Sequence, residues 1–139
     1  MAGERGSETD GGGGERRSAA AGSLSHHDCL ALLASGGLGR IAVSVSALPM
    51  ILPVQFWLDG DEVVFTFNAG DVVDRATRET VIAFQTDGHD GAGALWSVSL
   101  TGVARQRNDS DTMRTVAVAT DHMTGLRTPT VPVRTSTDA

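Results

Sequence analysis

Lysine and tyrosine are absent from this chain of 139 residues, and cysteine occurs once. With Cys29 alone, neither an intrachain disulfide nor a multi-cysteine metal site can form, and Cys29 itself reads as a small buried helix residue. All 11 basic residues are arginine, and 17 acidic residues outweigh them to a net charge of −6. That balance excludes a surface built to neutralise nucleic-acid phosphates. The arginine-only basic set, with abundant Ala, Gly, Val and Asp, reads as the codon usage of a GC-rich genome. No stretch approaches the roughly 18 to 20 consecutive apolar residues that span a bilayer, and the N-terminus lacks the apolar core of a secretory signal. A soluble, cytoplasmic protein with no nucleic-acid or membrane partner is expected.

Catalytic signatures are missing as well. The chain holds no GxSxG, HExxH, Walker loop or dinucleotide fingerprint. Aromatic residues are few (Phe56, Trp57, Phe65, Phe67, Phe84 and Trp96), and four of the six cluster around two neighbouring strand patterns. Their faces suit stacking on a planar cofactor, although core packing is the commoner use in a small barrel.

What is present divides the chain into three parts. Residues 1–22 (MAGERGSETDGGGGERRSAAAG) are rich in glycine and hold no aromatic residue, the composition of a disordered extension. Residues 122–139 (HMTGLRTPTVPVRTSTDA), with Pro129 and Pro132 and no sustained period, read as a loose tail containing at most a short extended piece. The domain between, residues 23–121, holds about 100 residues, a size at which one core is only moderately stable and self-association helps.

Within that domain, Ser25-His26-His27-Asp28 resembles a capping box, and a helix carrying Cys29, Leu30, Leu32 and Leu33 should follow until Gly36-Gly37. The pattern then turns to strands: Arg40–Val45, Met50–Leu58 and Glu62–Phe67, a meander joined by Ser46–Pro49 and by the Asp59-Gly60 hairpin turn. Pro53 places the second of these at an edge or beside a bulge. A short helix is expected over about Asp71–Arg78, then a buried strand Val81–Thr86, a loop Asp87–Gly93, and a long strand Leu95–Arg107 whose alternation shifts near Gly102, as a bulge would produce. Asp109-Ser110-Asp111 predicts a final helix to about Asp121 with Met113, Val116, Ala117 and Ala119 on its apolar side. The sum is a mainly antiparallel β or α+β domain, for which closure into a barrel removes the exposed edges.

The stretch VVFTFNAGDVVDRA (Val63–Ala76) carries the most chemistry. A strand runs through Asn68-Ala69-Gly70 into a helix start, an outline that can offer free N–H groups to an anion. Alternatively, Asp71 caps those same donors with its own carboxylate. Both readings stand. The histidines offer less: His26 and His27 are adjacent and diverge, and His89, in the acidic loop Asp87-Gly88-His89-Asp90, and His122, beside Asp121, are isolated.

The order of these features resembles the pyridoxamine 5′-phosphate oxidase-like, flavin-binding split-barrel family, in particular its short actinobacterial members. The resemblance covers about residues 24–107 and rests on LSHHDCLALLASGGLGRIAV, LPVQFWLDGDEVVFTF, VIAFQTD and LWSVSLTGVARQ. It implies a six-stranded split barrel, a homodimer, and a flavin at the dimer interface: flavin mononucleotide (FMN) as the usual ligand, with a deazaflavin or haem in some relatives. Carried over by position, it assigns ring contacts to Pro53, Val54 and Gln55. The phosphate segment becomes Thr66, Phe67, Asn68 and Gly70, with Arg75 one turn further on, and Trp96 and Ser97 lie near the cofactor.

Two departures stand out. Where relatives bring cations to the phosphate, this chain has Asp71, Val72 and Val73; two like unit charges about 4 Å apart cost about 4 kcal/mol at an effective dielectric of about 20. Where relatives end in a further strand, this chain reads TPTVPVRTSTDA, and whether Thr130–Arg134 supplies part of that strand stays open at this point. Two functions follow: an FMN- or deazaflavin-dependent oxidoreductase of unassigned substrate, or a degenerate ligand-binding or sensor member that no longer grips a flavin phosphate. A haem or metal site on His89 or His122 is a third, weaker reading.

Overall fold

Ser25 opens the first helix as its sequence suggests. Its Oγ accepts the Asp28 N–H at 3.0 Å, and α1 (His26–Leu33) follows with Cys29 and Leu33, one turn apart, buried. Gly36, at φ +65°, takes the left-handed conformation that ends such a helix without a Cβ penalty.

The computed structural model describes residues 22–107 and 110–128. A short strand, β1 (Gly22–Leu24), precedes α1. After it come β2 (Gly37–Val45), β3 (Leu48–Asp59), β4 (Glu62–Asn68), α2 (Val73–Ala76), β5 (Thr80–His89), β6 (Leu95–Gln106), β7 (Met113–Ala119) and β8 (His122–Thr128). Among the described residues no helix is long and apolar enough to cross a membrane.

The strands are hydrogen-bonded in the order β1-β8-β6-β5-β2-β3-β4-β7, and β7 returns to β6. Six strands, β6-β5-β2-β3-β4-β7, therefore close into an antiparallel barrel, and β8 with β1 extends it beyond β6. This is the mainly β fold with few short helices that the sequence calls for. Period-two alternation sends Ile41 and Val43 of β2, Ile82 and Phe84 of β5, and Val98 and Leu100 of β6 into one core. Phe84 meets Phe56 of β3 edge to face, with centroids 4.9 Å apart. Gly39 makes that contact possible, because a Cβ there would lie 2.5 Å from the Phe84 ring.

Two features of β3 shape one side of the barrel. Its hairpin with β2 turns on Ser46 and Ala47, both at positive φ (50° and 67°), a conformation that two-residue hairpins usually give to Asn-Gly. Beyond the turn, β3 pairs with β2 along its first nine residues from Leu48 to Phe56, but with β4 only over Phe56–Asp59. Among the described residues, 48–55 thus form an open edge, as Pro53 suggested. Since Pro49 and Pro53 sit in an unbroken ladder with β2, their missing N–H groups must fall on the open side.

Three expectations are corrected. Residues 113–119 form a strand, not a helix. Ser110 does use its hydroxyl on following N–H groups, those of Thr112 and Met113 (3.3 and 3.0 Å), but in a turn closed by Ser110 N–H to the Met113 carbonyl. The same capping chemistry serves both structures, and the β-branched Thr115, Val116 and Val118 then favour the strand; Asp109 lies outside the described residues. Residues 122–128, assigned above to a loose tail, form β8, paired with both β6 and β1. The rest of that tail, Thr130–Arg134 included, and residues 1–21 of the predicted disordered extension lie outside the described residues. Finally, β6 has no bulge at Gly102: its ladder with β5 runs without a break from Ala104 to Leu95. Gly102 instead occupies an inward position where a Cβ would lie 2.9 Å from Val118, and it marks where β6 exchanges β8 for β7 as its partner.

Candidate functional site

Where β4 leaves β3, the barrel opens. The gap is framed by the end of β2 at Ser44–Ser46, by the turn after β4 at Gly70–Val72, and by α2 with the residues that follow it. These line an open groove of about 620 Å³.

The segment from Gly70 to Arg78 is organised by its own acidic residues. Asp71 accepts the Val73 N–H on Oδ1 at 3.2 Å, and its carbonyl takes the Asp74 N–H at 2.9 Å. Thr77 caps the other end, its buried hydroxyl donating to the Val73 and Asp74 carbonyls at 3.0 and 3.2 Å. Glu79 follows at φ 55°, and α2 is held to four residues. The expected helix over Asp71–Arg78 is therefore shorter, because side chains at both ends consume the groups that would have extended it. A single turn of this kind offers no free helix terminus for an anion.

Asp74 is the centre of the arrangement. Its residue is 8% exposed, and its carboxylate receives five donors. Oδ1 accepts from Arg78 Nε and Nη2 (3.1 and 3.0 Å) and from Gln106 Nε2 (3.0 Å), while Oδ2 accepts from the Gly70 N–H and from Arg114 Nε, each at 3.2 Å. The hydrogen bond from Gln106 holds its pKa well below the usual carboxylate range; burial opposes this, and Gly70, Arg78 and Arg114 add to it. Arg75, on the same turn, is exposed and makes no side-chain ion pair or hydrogen bond among the described residues. In the groove, then, Arg78 is committed and Arg75 is free.

A second group of expected site residues lies on the outer face of the sheet. Pro53 and Gln55 are exposed on either side of Val54, which is buried in the core and cannot present its side chain to a ligand on that face. Register places Pro53 beside Arg40, Arg40 beside Gln85, and Gln85 beside Ser99. The row above it holds Ile51, Ala42, Ala83 and Thr101, so the sheet presents a shelf of small side chains. Arg40 crosses the shelf, donating to Gln85 Oε1 at 3.0 Å and standing 3.5 Å from Asp87.

The remaining expected residues scatter. Ser97 and Trp96, adjacent in β6, face opposite ways. Trp96 lies over Gly88, where a Cβ would sit 2.8 Å from its ring, and borders a groove of about 300 Å³ with Leu24, Asp28, Leu32 and Arg127. Arg127 there pairs with Asp90, which also caps the β5–β6 loop by accepting the Ala92 and Ala94 N–H groups at 2.9 and 3.0 Å. Thr66 and Phe67 are half-buried and paired with Thr115 and Arg114 of β7, with Asn68 beside Met113. Of the expected set, Gly70 and Arg75 share the split groove, and Pro53 and Gln55 share the shelf. Within one protomer the structure does not bring these two groups and Trp96 into one cavity.

Among the described residues no group of three or more His, Cys, Asp or Glu side chains is placed to hold a metal ion, and His26, His27, His89 and His122 are all exposed. Cys29 is buried against Gly125, and burial, followed by the charge of Asp28, pushes its thiol pKa up, which disfavours the nucleophilic thiolate form.

Comparisons with known proteins agree with this geometry. The family profile described as Pyridoxamine 5′-phosphate oxidase matches residues 25–138. The structure of an FAD binding protein from Mycobacterium smegmatis superposes with a TM-score of 0.68 at 34% identity, over 78% of this chain and 98% of that one. Two more distant structures show the fold alone. One is an FAD-binding protein from Mesorhizobium loti (TM-score 0.67, 15% identity, 77% of this chain and 96% of that one). The other is an FAD and haem binding protein from Mycobacterium smegmatis (TM-score 0.66, 18% identity, 82% and 76%). No curated protein matches the chain.

Proposed function

The chain belongs to the pyridoxamine 5′-phosphate oxidase family, and from that premise we propose that it is a flavin-binding split-barrel protein, a cytoplasmic oxidoreductase acting as a homodimer with its ligand at the dimer interface. The observation that carries the reading is the 34% identity to a relative named for binding FAD, spread over 98% of that relative.

The residues present fit a flavin in part. The shelf of Ala42, Ala83 and Ser99 leaves room for a planar ring, Arg40 and Gln85 supply polar groups beside it, and the open edge of β3 supplies main-chain groups at Ile51 and Gln55. Exposed Leu38, Ile51 and Val81, at 61%, 73% and 70%, give this face the apolar surface that a second copy of the chain would cover. A bound flavin supplies hydride or single-electron transfer, and the chain's part is to seat the ring, exclude water and set the local field. The phosphate end fits less well. Among the described residues Arg75 is the one uncommitted cation lining the split groove, and Asp71 stands at its lip. FAD, whose two phosphates carry one charge each, suits this better than FMN, whose terminal phosphate carries two.

Purified full-length protein, titrated with FAD, FMN and riboflavin while flavin fluorescence and the visible spectrum are followed, tests the reading. One flavin per protomer and a dimer by sedimentation are the expected results. Failure of all three flavins to bind would overturn it in favour of the second reading, a family member that has kept the barrel and lost the cofactor. The saturated carboxylate of Asp74 is the observation that favours that alternative. A deazaflavin in place of the flavin gives the same dimer with a different spectrum, and a haem gives a Soret band.

A further inference from the structure

Asp74 has no part in seating the flavin proposed above, yet it gathers donors from four separate stretches of chain. Gly70 comes from the turn after β4, Arg78 from the link into β5, Gln106 from the end of β6, and Arg114 from β7. Two guanidinium groups, an amide and a main-chain N–H converging on one point make a typical donor set for a phosphate or sulfate. Here the anion is built into the chain. Around Gly70 the space is open, since a Cβ placed there would meet nothing within 4 Å, and both Gly70 and Asp74 line the split groove.

We propose that Asp74 is a specificity-determining residue of this groove: a tethered anion that occupies the donors a phosphomonoester would need, so that ligands ending in a phosphate dianion are excluded. The inference rests on the flavin reading only for the identity of the ligand; the exclusion of phosphate stands on the Asp74 geometry. The competition is unequal. The carboxylate is covalently held at its donors and pays no association entropy, whereas a free phosphate must displace it or accept both Asp74 and Asp71 as neighbours. Arg75 is left for ligands whose phosphate charge is single, such as a phosphodiester or pyrophosphate, and a ligand with no phosphate meets no penalty. The Asp71, Val72 and Val73 of this turn bring no cation to the groove, and the two arginines nearby are turned inward: Arg78 and Arg114 neutralise a side chain instead of a ligand.

The test uses the full chain. Wild-type protein is expected to show no rise in Tm with added inorganic phosphate, and to bind FMN no more tightly than riboflavin, within about three-fold. Asp74→Ser, which removes the carboxylate and leaves space at the donors, should acquire a phosphate-dependent rise in Tm and a gain of about ten-fold or more in FMN affinity relative to riboflavin. A wild-type preference for FMN over riboflavin of about ten-fold or more, or wild-type stabilisation by phosphate, overturns the proposal even where the variant does not fold. An Asp74→Ser protein that folds and remains indifferent to phosphate overturns it too. If no flavin binds either protein, the flavin reading fails, while the phosphate-dependent Tm of the variant still decides the role of Asp74.

Discussion

The two sides of this barrel are held together by different forces. On the closed side, β5 and β6 pair without interruption from Thr80↔Ala104 to His89↔Leu95, and their inward residues interlock around Phe84, Ile82 and Leu100. On the split side, β3 and β4 share only the pairs from Phe56↔Phe65 to Asp59↔Glu62, and the continuity of structure passes through charge: Asp74 ties the α2 segment to β6 and β7. Apolar packing is indifferent to pH and nearly so to salt, whereas an ion cluster is neither. The side that carries the open groove is therefore also the side that solvent conditions can loosen.

The largest effect should come from breaking the closed side. Phe84→Ala removes the ring that fills the space over Gly39 and the edge contact with Phe56, and should cost about 3–5 kcal/mol in denaturant unfolding at any pH in the native range.

On the split side, Asp74→Asn should lower Tm at neutral pH by less than Phe84→Ala does, and with a different pH profile. Because the folded-state pKa of Asp74 is depressed, its stabilising contribution is fully present above the unfolded carboxylate value of about 3.9 and is lost as pH falls below it. The wild-type and variant Tm curves should therefore converge in acid. Parallel curves down to the lowest measurable pH would show that the cluster contributes geometry and no net charge stabilisation.

The smallest effect is expected at the turn beside the groove. Ala47→Gly relieves a positive φ and should raise stability by about 0.4–1 kcal/mol, with ligand affinity unchanged.

The same contrast explains what could be read from the sequence. Strands β2 to β6 announce themselves through alternation and hairpin turns, and the Ser25 cap through a local pattern, because each depends on neighbours a few residues apart. Pro53 marked the open edge for the same reason. The Asp74 cluster depends instead on Gln106 and Arg114, which are brought to it only by strand register, and nothing in GDVVDRA distinguishes a carboxylate awaiting two arginines from a capping one. The helix expected at 109–121 failed at a point of true degeneracy: Ser110 makes similar bonds in a turn as at a helix start, and the choice between them is settled by the vacancy between β4 and β6 that β7 fills. Trp96 and Ser97 looked like one element of a site; a strand turns them to opposite faces.

The prolines of β3 carry one further consequence. Residues 49, 51, 53 and 55 share the parity that turns main-chain groups to the open edge, so all four contribute a carbonyl, but only Ile51 and Gln55 contribute an N–H. The edge is unbalanced toward acceptors. A continuing β-strand gives and takes in equal measure and would lose two hydrogen bonds against it, which disfavours edge-to-edge pairing there. What can lie along it without loss is a molecule richer in N–H and O–H groups than in carbonyls at that spacing, or one that leaves water at Pro49 and Pro53.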